Sequence, residues 1–245
     1  MKFLIHSLVF AVFASIHAAA APAVSDLPVS GWNVVGSKDT TFGPTGEAGK
    51  VVFGGPGFGD KGKLLSAYFP KTEIGEGKSL EFSAQVQFSG IAAAGHFRFG
   101  IFLKRSKDHP RGWLGYCAYA GAEVASPRGG LFARLADNNG SFDGIKDSDG
   151  RPTVNLLGES LQPAKSIKDG VVYFIKMTLT RTGEGMECHA SMRPGADDAT
   201  PIVEYSAVDT SPATTSFDAI GFNTHEVLST DSIEFNEVSV KLLEP

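Results

Sequence analysis

Hydrophobic and polar residues alternate with a period of two along most of the chain. From Leu80 to Ser89, Leu80, Phe82, Ala84, Val86 and Phe88 fall on one face, and Glu81, Ser83, Gln85, Gln87 and Ser89 on the other. This pattern predicts a strand with one face packed and one face wet. His96 to Lys104 repeats it, with Phe97, Phe99, Ile101 and Leu103 inward, and His96, Arg98, Phe102 and Lys104 outward. Between Val171 and Leu179 both parities are fairly apolar, which suits a central strand. Thr182-Gly183-Glu184-Gly185 then turns the chain into an inward row of Met186, Cys188, Ala190 and Met192, predicting a hairpin from Val171 to Met192.

Other strand-like runs are Lys50 to Phe53, Lys63 to Phe69, Trp113 to Ala120 and Gly130 to Leu135. Ser216 to Thr224 and Ser232 to Leu242 read as a closing pair, with a bulge expected near Asn236-Glu237, where the inward parity shifts. Asp137 to Lys168, with its Asn-Gly and Asp-Gly pairs and prolines, reads as one long loop. No amphipathic helix longer than two turns and no fixed-period repeat is evident. The prediction is an all-β, two-sheet antiparallel β-sandwich of jelly-roll type.

Composition sharpens this picture. The 29 glycines and 18 phenylalanines among 245 residues favour strands joined by tight turns over long helices. Met1-Lys2, an apolar run from Phe3 to Ile16, and Ala18-Ala19-Ala20 form the pattern of an export signal. The expected organisation is therefore a signal peptide over 1–20 and one sandwich domain over 21–245, secreted or at a periplasmic or cell-surface location. The apolar run is shorter than the roughly 20 residues a spanning helix needs, and no later stretch is long enough, so no transmembrane segment is expected. A net charge of −5 with scattered Lys and Arg argues against nucleic acid as a partner. Two cysteines, Cys117 and Cys188, are compatible with one disulfide or with two buried thiols.

Phe217-Asp218-Ala219-Ile220-Gly221-Phe222, followed by Ser232-Ile233-Glu234-Phe235-Asn236-Glu237-Val238-Ser239-Val240, resembles the closing strands of concanavalin A-like lectin and glucanase sandwiches. Phe97-Arg98-Phe99-Gly100-Ile101-Phe102 and Gly115-Tyr116 are similar to central strands of secreted relatives. The resemblance implies two large sheets, one of them concave, and a function in glycan binding or cleavage. Its catalytic string of three acidic residues on one strand, as in family-16 glucanases, is missing. Glu73, Glu76 and Glu81 are the nearest carboxylate cluster, but Gly75 and Gly77 make that segment a turn.

The leading expectation is an exported glycan-binding or glycan-associated protein whose partner is a polysaccharide or oligosaccharide. The alternative is a polysaccharide lyase acting on an acidic, uronate-containing glycan, so whether the chain is an enzyme stays open. A lyase needs a Tyr or His base and a cation or amide to neutralise the uronate. Tyr173-Phe174-Ile175-Lys176 resembles the Tyr/Lys strand of alginate lyases, although the rest of that pattern is absent. The candidate ligand-binding residues are His96, Arg98, Lys104, Lys176, Glu187, His189, Asn223 and His225, all at polar parity on their strands. Alternation puts polar residues at such positions on any solvated face. His96, His189 and His225 stand out because imidazole serves as a base near neutral pH, and three together could ligate zinc. No cofactor is called for by motif. Asp137-Asn138-Asn139-Gly140-Ser141-Phe142-Asp143, with Asp147 and Asp149, is a candidate calcium loop without EF-hand spacing. Trp32, Phe58, Trp113 and Tyr119 are candidate stacking platforms for sugar rings, with burial in the core as the competing role.

Overall fold

The structure is a computed structural model that describes residues 23–35, 45, 49–55, 58, 64–91, 95–104, 112–121, 130–136, 154–159, 161, 165–195, 199–225, 228 and 230–245. These form fourteen strands and no helix: β1 (Val24–Leu27), β2 (Ser30–Val34), β3 (Lys50–Gly54), β4 (Leu64–Glu73), β5 (Ser79–Ser89), β6 (His96–Leu103), β7 (Leu114–Gly121), β8 (Leu131–Arg134), β9 (Val154–Gly158), β10 (Val172–Thr182), β11 (Gly185–Pro194), β12 (Val203–Asp209), β13 (Ser216–His225) and β14 (Ser232–Leu243). The expected signal segment lies outside the described residues, as do residues 137–153 with the candidate calcium loop. Among the described residues no helix is long and apolar enough to cross a membrane.

The strands make two antiparallel sheets. Sheet A runs β1-β14-β5-β10-β11-β12, with β3 also on β14, and sheet B runs β2-β4-β13-β6-β7-β8-β9. The main core lies between them. Leu80, Phe82, Ala84, Val86 and Phe88 of β5 are each 0 % exposed, as the alternation demands. They meet Phe97, Phe99 and Ile101 of β6 and Ile220 and Phe222 of β13. The rings interlock, with Phe222 and Phe235 at 4.4 Å between centroids and Phe88 and Phe97 at 4.9 Å edge to face. Each such ring removed from water contributes about 1.5–3 kcal/mol, so this row is the main source of cohesion between the sheets.

The β10–β11 hairpin closes through a two-residue loop, with Thr182 paired to Gly185. Gly185 has φ +148°, and a Cβ there would stand 2.1 Å from the Asp209 carbonyl oxygen, so glycine is required by both conformation and space. The bulge in β14 falls where parity predicts it: its register on β5 shifts between Asn236 and Ser239, and Glu237 adopts φ 50°.

Two expectations are corrected. The stretches from Ser216 and from Ser232 do not pair with each other. β13 sits between β4 and β6 in sheet B, whereas β14 sits against β5, β1 and β3 in sheet A. Alternation marks a strand without naming its partner, and here the chain crosses between layers. The long loop is interrupted by β9, which pairs with β8 and closes the edge of sheet B. β12, where Val203 and Tyr205 point inward at 0 and 1 % exposure, also escapes the sequence reading, although its alternation is regular.

Candidate functional site

On sheet B, the residues of inward parity face sheet A and those of the other parity make the outer face. Direct pairing across antiparallel strands puts Leu64, Asn223, Arg98 and Tyr119 in one row over β4, β13, β6 and β7. The Arg98 guanidinium lies 4.1 Å from the Tyr119 ring centroid, a cation–π stack that compensates part of its desolvation. Arg98 is 5 % exposed and Asn223 2 % exposed. The Asn223 amide oxygen accepts no hydrogen bond from the described residues. One row further along, half-buried His96 is paired with His225 on one side and Gly121 on the other. The next row in the opposite direction carries Ser66, Gly221, Gly100, Cys117 and Phe132. His96, Arg98 and Asn223, together with the backbone position of His225, are thus neighbours.

Lys104 does not join them. It lies six residues from Arg98 along the same chain direction, about 20 Å at strand rise. There its ammonium sits 3.5 Å from the Tyr68 ring centroid, and its backbone N–H donates to Asp218 Oδ1 at 2.9 Å. Burial raises the Asp218 carboxyl above its ordinary range, with this hydrogen bond and the Lys104 charge opposing.

The outer face of sheet B is itself packed. Val35, Tyr68, Phe102, Trp113, Cys117, Tyr119 and Ala219 form a second hydrophobic cluster, and Trp113 meets Phe102 edge to face at 5.9 Å. The candidate stacking platforms are therefore packing residues: Trp113 is 0 %, Phe58 1 % and Tyr119 6 % exposed, while Trp32 lies against Phe53, Phe222 and Phe235.

Lys176, Glu187 and His189 belong to sheet A, and their side chains point away from sheet B. Met177, Leu179, Cys188 and Ala190, which alternate with them, fill the core. One site shared by His96, His189 and His225 is therefore excluded by topology, and with it zinc held by that trio. Among the described residues no three His, Cys, Asp or Glu side chains are grouped to hold a metal ion, and the candidate calcium loop lies outside those residues. The lyase-like string is split as well. Tyr173 is inward, 2 % exposed, and its hydroxyl accepts the Lys168 N–H at 2.7 Å, whereas Lys176 is outward. An odd spacing on a strand sends two side chains to opposite faces.

The outer face of sheet A is polar and open. Lys176 pairs with Glu81 at 3.0 Å, Arg193 with Glu204 at 2.8 Å, and His189 with Glu187 at 3.0 Å. Over β10, β11 and β12 lies a cleft of about 250 Å³ whose lining includes Leu161, Lys176, Thr178, His189, Ser191, Arg193 and Glu204. Of these, the sequence pattern singled out only Lys176 and His189. Arg193 continues the outward parity of His189, and Glu204 could have been found from the alternation of β12. Ser191 became meaningful only through its cross-strand neighbours, and Tyr119, expected as a sugar platform, holds Arg98 instead.

The cysteines cannot bridge. Cys117 faces outward on sheet B and Cys188 inward on sheet A, and both are free thiols. Burial pushes the Cys188 thiol well above its ordinary range, with the nearby Asp209 carboxylate adding to the shift. Asp209 in turn accepts the Tyr116 hydroxyl at 2.9 Å, tying the two sheets together.

Two seven-stranded antiparallel sheets packed face to face define a concanavalin A-like jelly roll. Solved structures agree. The exoplasmic/lumenal domain of VIP36 in its Ca2+/Man-bound form superimposes with a TM-score of 0.51 at 13 % identity, covering 87 % of this chain and 83 % of that one. Its Ca2+/Man3GlcNAc-bound form gives 0.50 at 14 % identity, over 87 % and 85 %. At these identities the likeness is one of fold. No protein-family model matches the sequence, and no curated protein matches it.

Proposed function

We propose that the chain is an exported glycan-binding jelly-roll domain that recognises sugar hydroxyls at the His96 end of the outer face of sheet B, beyond the packed cluster of that face. The observation that carries this reading is Asn223. A buried amide oxygen without a hydrogen-bond partner costs about 1–3 kcal/mol in the free protein, and a ligand hydroxyl donating to it would recover that loss. Tyr119 holds the Arg98 guanidinium in place in the same row, and half-buried His96 marks the side from which a hydroxyl approaches. VIP36, with the same fold, is crystallised with mannose-containing ligands, which makes these the first probes to try.

The test is titration with mannose, mannobiose and a broader glycan panel. Asn223→Ala is expected to weaken binding at least tenfold, while stability of the free protein stays level or rises because the unpaired oxygen is gone. Unchanged binding in that variant overturns the assignment. Incubation with alginate, glucuronan and pectin is expected to leave the ultraviolet absorbance of unsaturated products flat; a rising signal replaces binding with lyase chemistry. Export predicts a mature N-terminus at or near Ala21, and an intact Met1 on the exported protein contradicts it.

A further inference from the structure

We propose that the cleft on the outer face of sheet A is a second binding site, for a neutral polyhydroxylated ligand of the saccharide class. It shares only that ligand class with the reading above. Its residues lie on the opposite side of the sandwich, so either site can fail alone.

Charge selects the ligand class. The cations Lys176 and Arg193 are each matched by a carboxylate, Glu81 and Glu204, and His189 by Glu187. An anionic ligand would have to break one of these pairs and leave its carboxylate facing the newcomer. A neutral ligand leaves all three pairs intact. The Glu81 and Glu187 carboxylates have lone pairs beyond the one each ion pair uses, and hydroxyls on a sugar ring can donate to them.

The floor supplies hydroxyls that bond to none of the described residues. Lys176, Ser191 and Glu204 form one cross-strand row, and Thr178, His189 and Ser206 the next. Ser191 is only 7 % exposed and lines the cleft, yet its hydroxyl, like that of Thr178, makes no hydrogen bond among the described residues. Leu161 stands at the rim, 61 % exposed, held there by its N–H donating to the Glu204 carbonyl at 2.7 Å. An apolar rim beside a hydroxyl-rich floor matches a sugar ring, whose C–H face is apolar and whose edge is polar. If both sites are occupied, one molecule bridges two glycans from opposite faces.

The experiment follows backbone amide resonances of the Asn223→Ala protein, so that the sheet B site is disabled and the two sites read out separately. Mannotriose, maltotriose and cellotriose are the neutral probes, and trigalacturonate the anionic one. At least one neutral trisaccharide is expected to shift the amides of Ser191, Thr178 and Leu161. Adding Ser191→Ala or the near-isosteric Thr178→Val is expected to weaken that binding by about threefold to tenfold, the effect of one lost hydrogen bond. Cleft amides that respond only to trigalacturonate, that respond to no probe, or that respond equally in the hydroxyl variants overturn the proposal.

Discussion

The outer faces of the two sheets are built from the same alternation and have opposite characters. On sheet A, Glu81, Ser83, Gln85 and Gln87 point outward between strictly apolar neighbours, and the face carries ion pairs such as Lys50–Glu234 and Lys176–Glu81. On sheet B, the outward positions include Gly100, Phe102, Cys117, Tyr119 and Ala219, and they are buried. Fully covered strands read as nearly continuous apolar runs, and Leu114-Gly115-Tyr116-Cys117-Ala118-Tyr119-Ala120 is such a run. The difference teaches where polar residues carry information. A polar side chain on the wet face of sheet A is expected. Arg98 and Asn223 on the covered face of sheet B are exceptions to their surroundings and need a reason.

The largest test of this contrast is Trp113→Ala. If the outer face of sheet B is a true core, deleting this fully buried ring lowers stability by about 3–5 kcal/mol in denaturant unfolding. Ser83→Ala on the outer face of sheet A is expected to stay within about 0.5 kcal/mol. Similar small losses in both variants would mean that the second cluster is surface.

Gly100→Ala comes next. A Cβ at this position would stand 2.1 Å from the Tyr116 carbonyl oxygen and 2.8 Å from the Phe102 ring. The strand must shift to admit it, and a loss of about 1–3 kcal/mol is expected by the same measurement. A neutral result would show that β6 and β7 are not held in this register.

The smallest effects are electrostatic and opposite in sign. Glu234 on sheet A is held below the ordinary carboxylate range, first by its hydrogen bond from Lys50. Its contribution is present above the unfolded carboxylate pKa of about 4.3 and is lost as pH falls through the lower folded value. Glu234→Gln should therefore cost a few tenths of a kcal/mol at neutral pH, because the pair is partly exposed, and nothing in strong acid. Asp218 on sheet B is raised by burial, so the folded state keeps its proton longer than the unfolded chain does. Ionising it opposes folding as pH rises through that window. Asp218→Asn, which keeps the acceptor for the Lys104 N–H, should be relatively more stabilising at neutral pH than in acid. Stability curves of the two variants with the same pH slope would contradict the assigned environments.

Much of the local structure was legible from residue order. Alternation located β5, β6, β10, β11 and β13, the parity break located the β14 bulge, and Gly183-Glu184 located the hairpin. These are short-range consequences of pleat and turn geometry, which neighbouring residues determine among themselves. Strand partnership was not legible. Whether Ser216–His225 pairs with Ser232–Leu243 or lies in the other layer depends on contacts distant in sequence, and alternation is blind to them. The candidate residues met the same limit. Parity placed all eight on outward faces but could not say which outward face, and the tertiary structure sent His96, Arg98, Lys104, Asn223 and His225 to sheet B and Lys176, Glu187 and His189 to sheet A. Only cross-strand register set Asn223 beside Arg98 and Ser191 between Lys176 and Glu204, because neighbours in a sheet come from strands far apart along the chain.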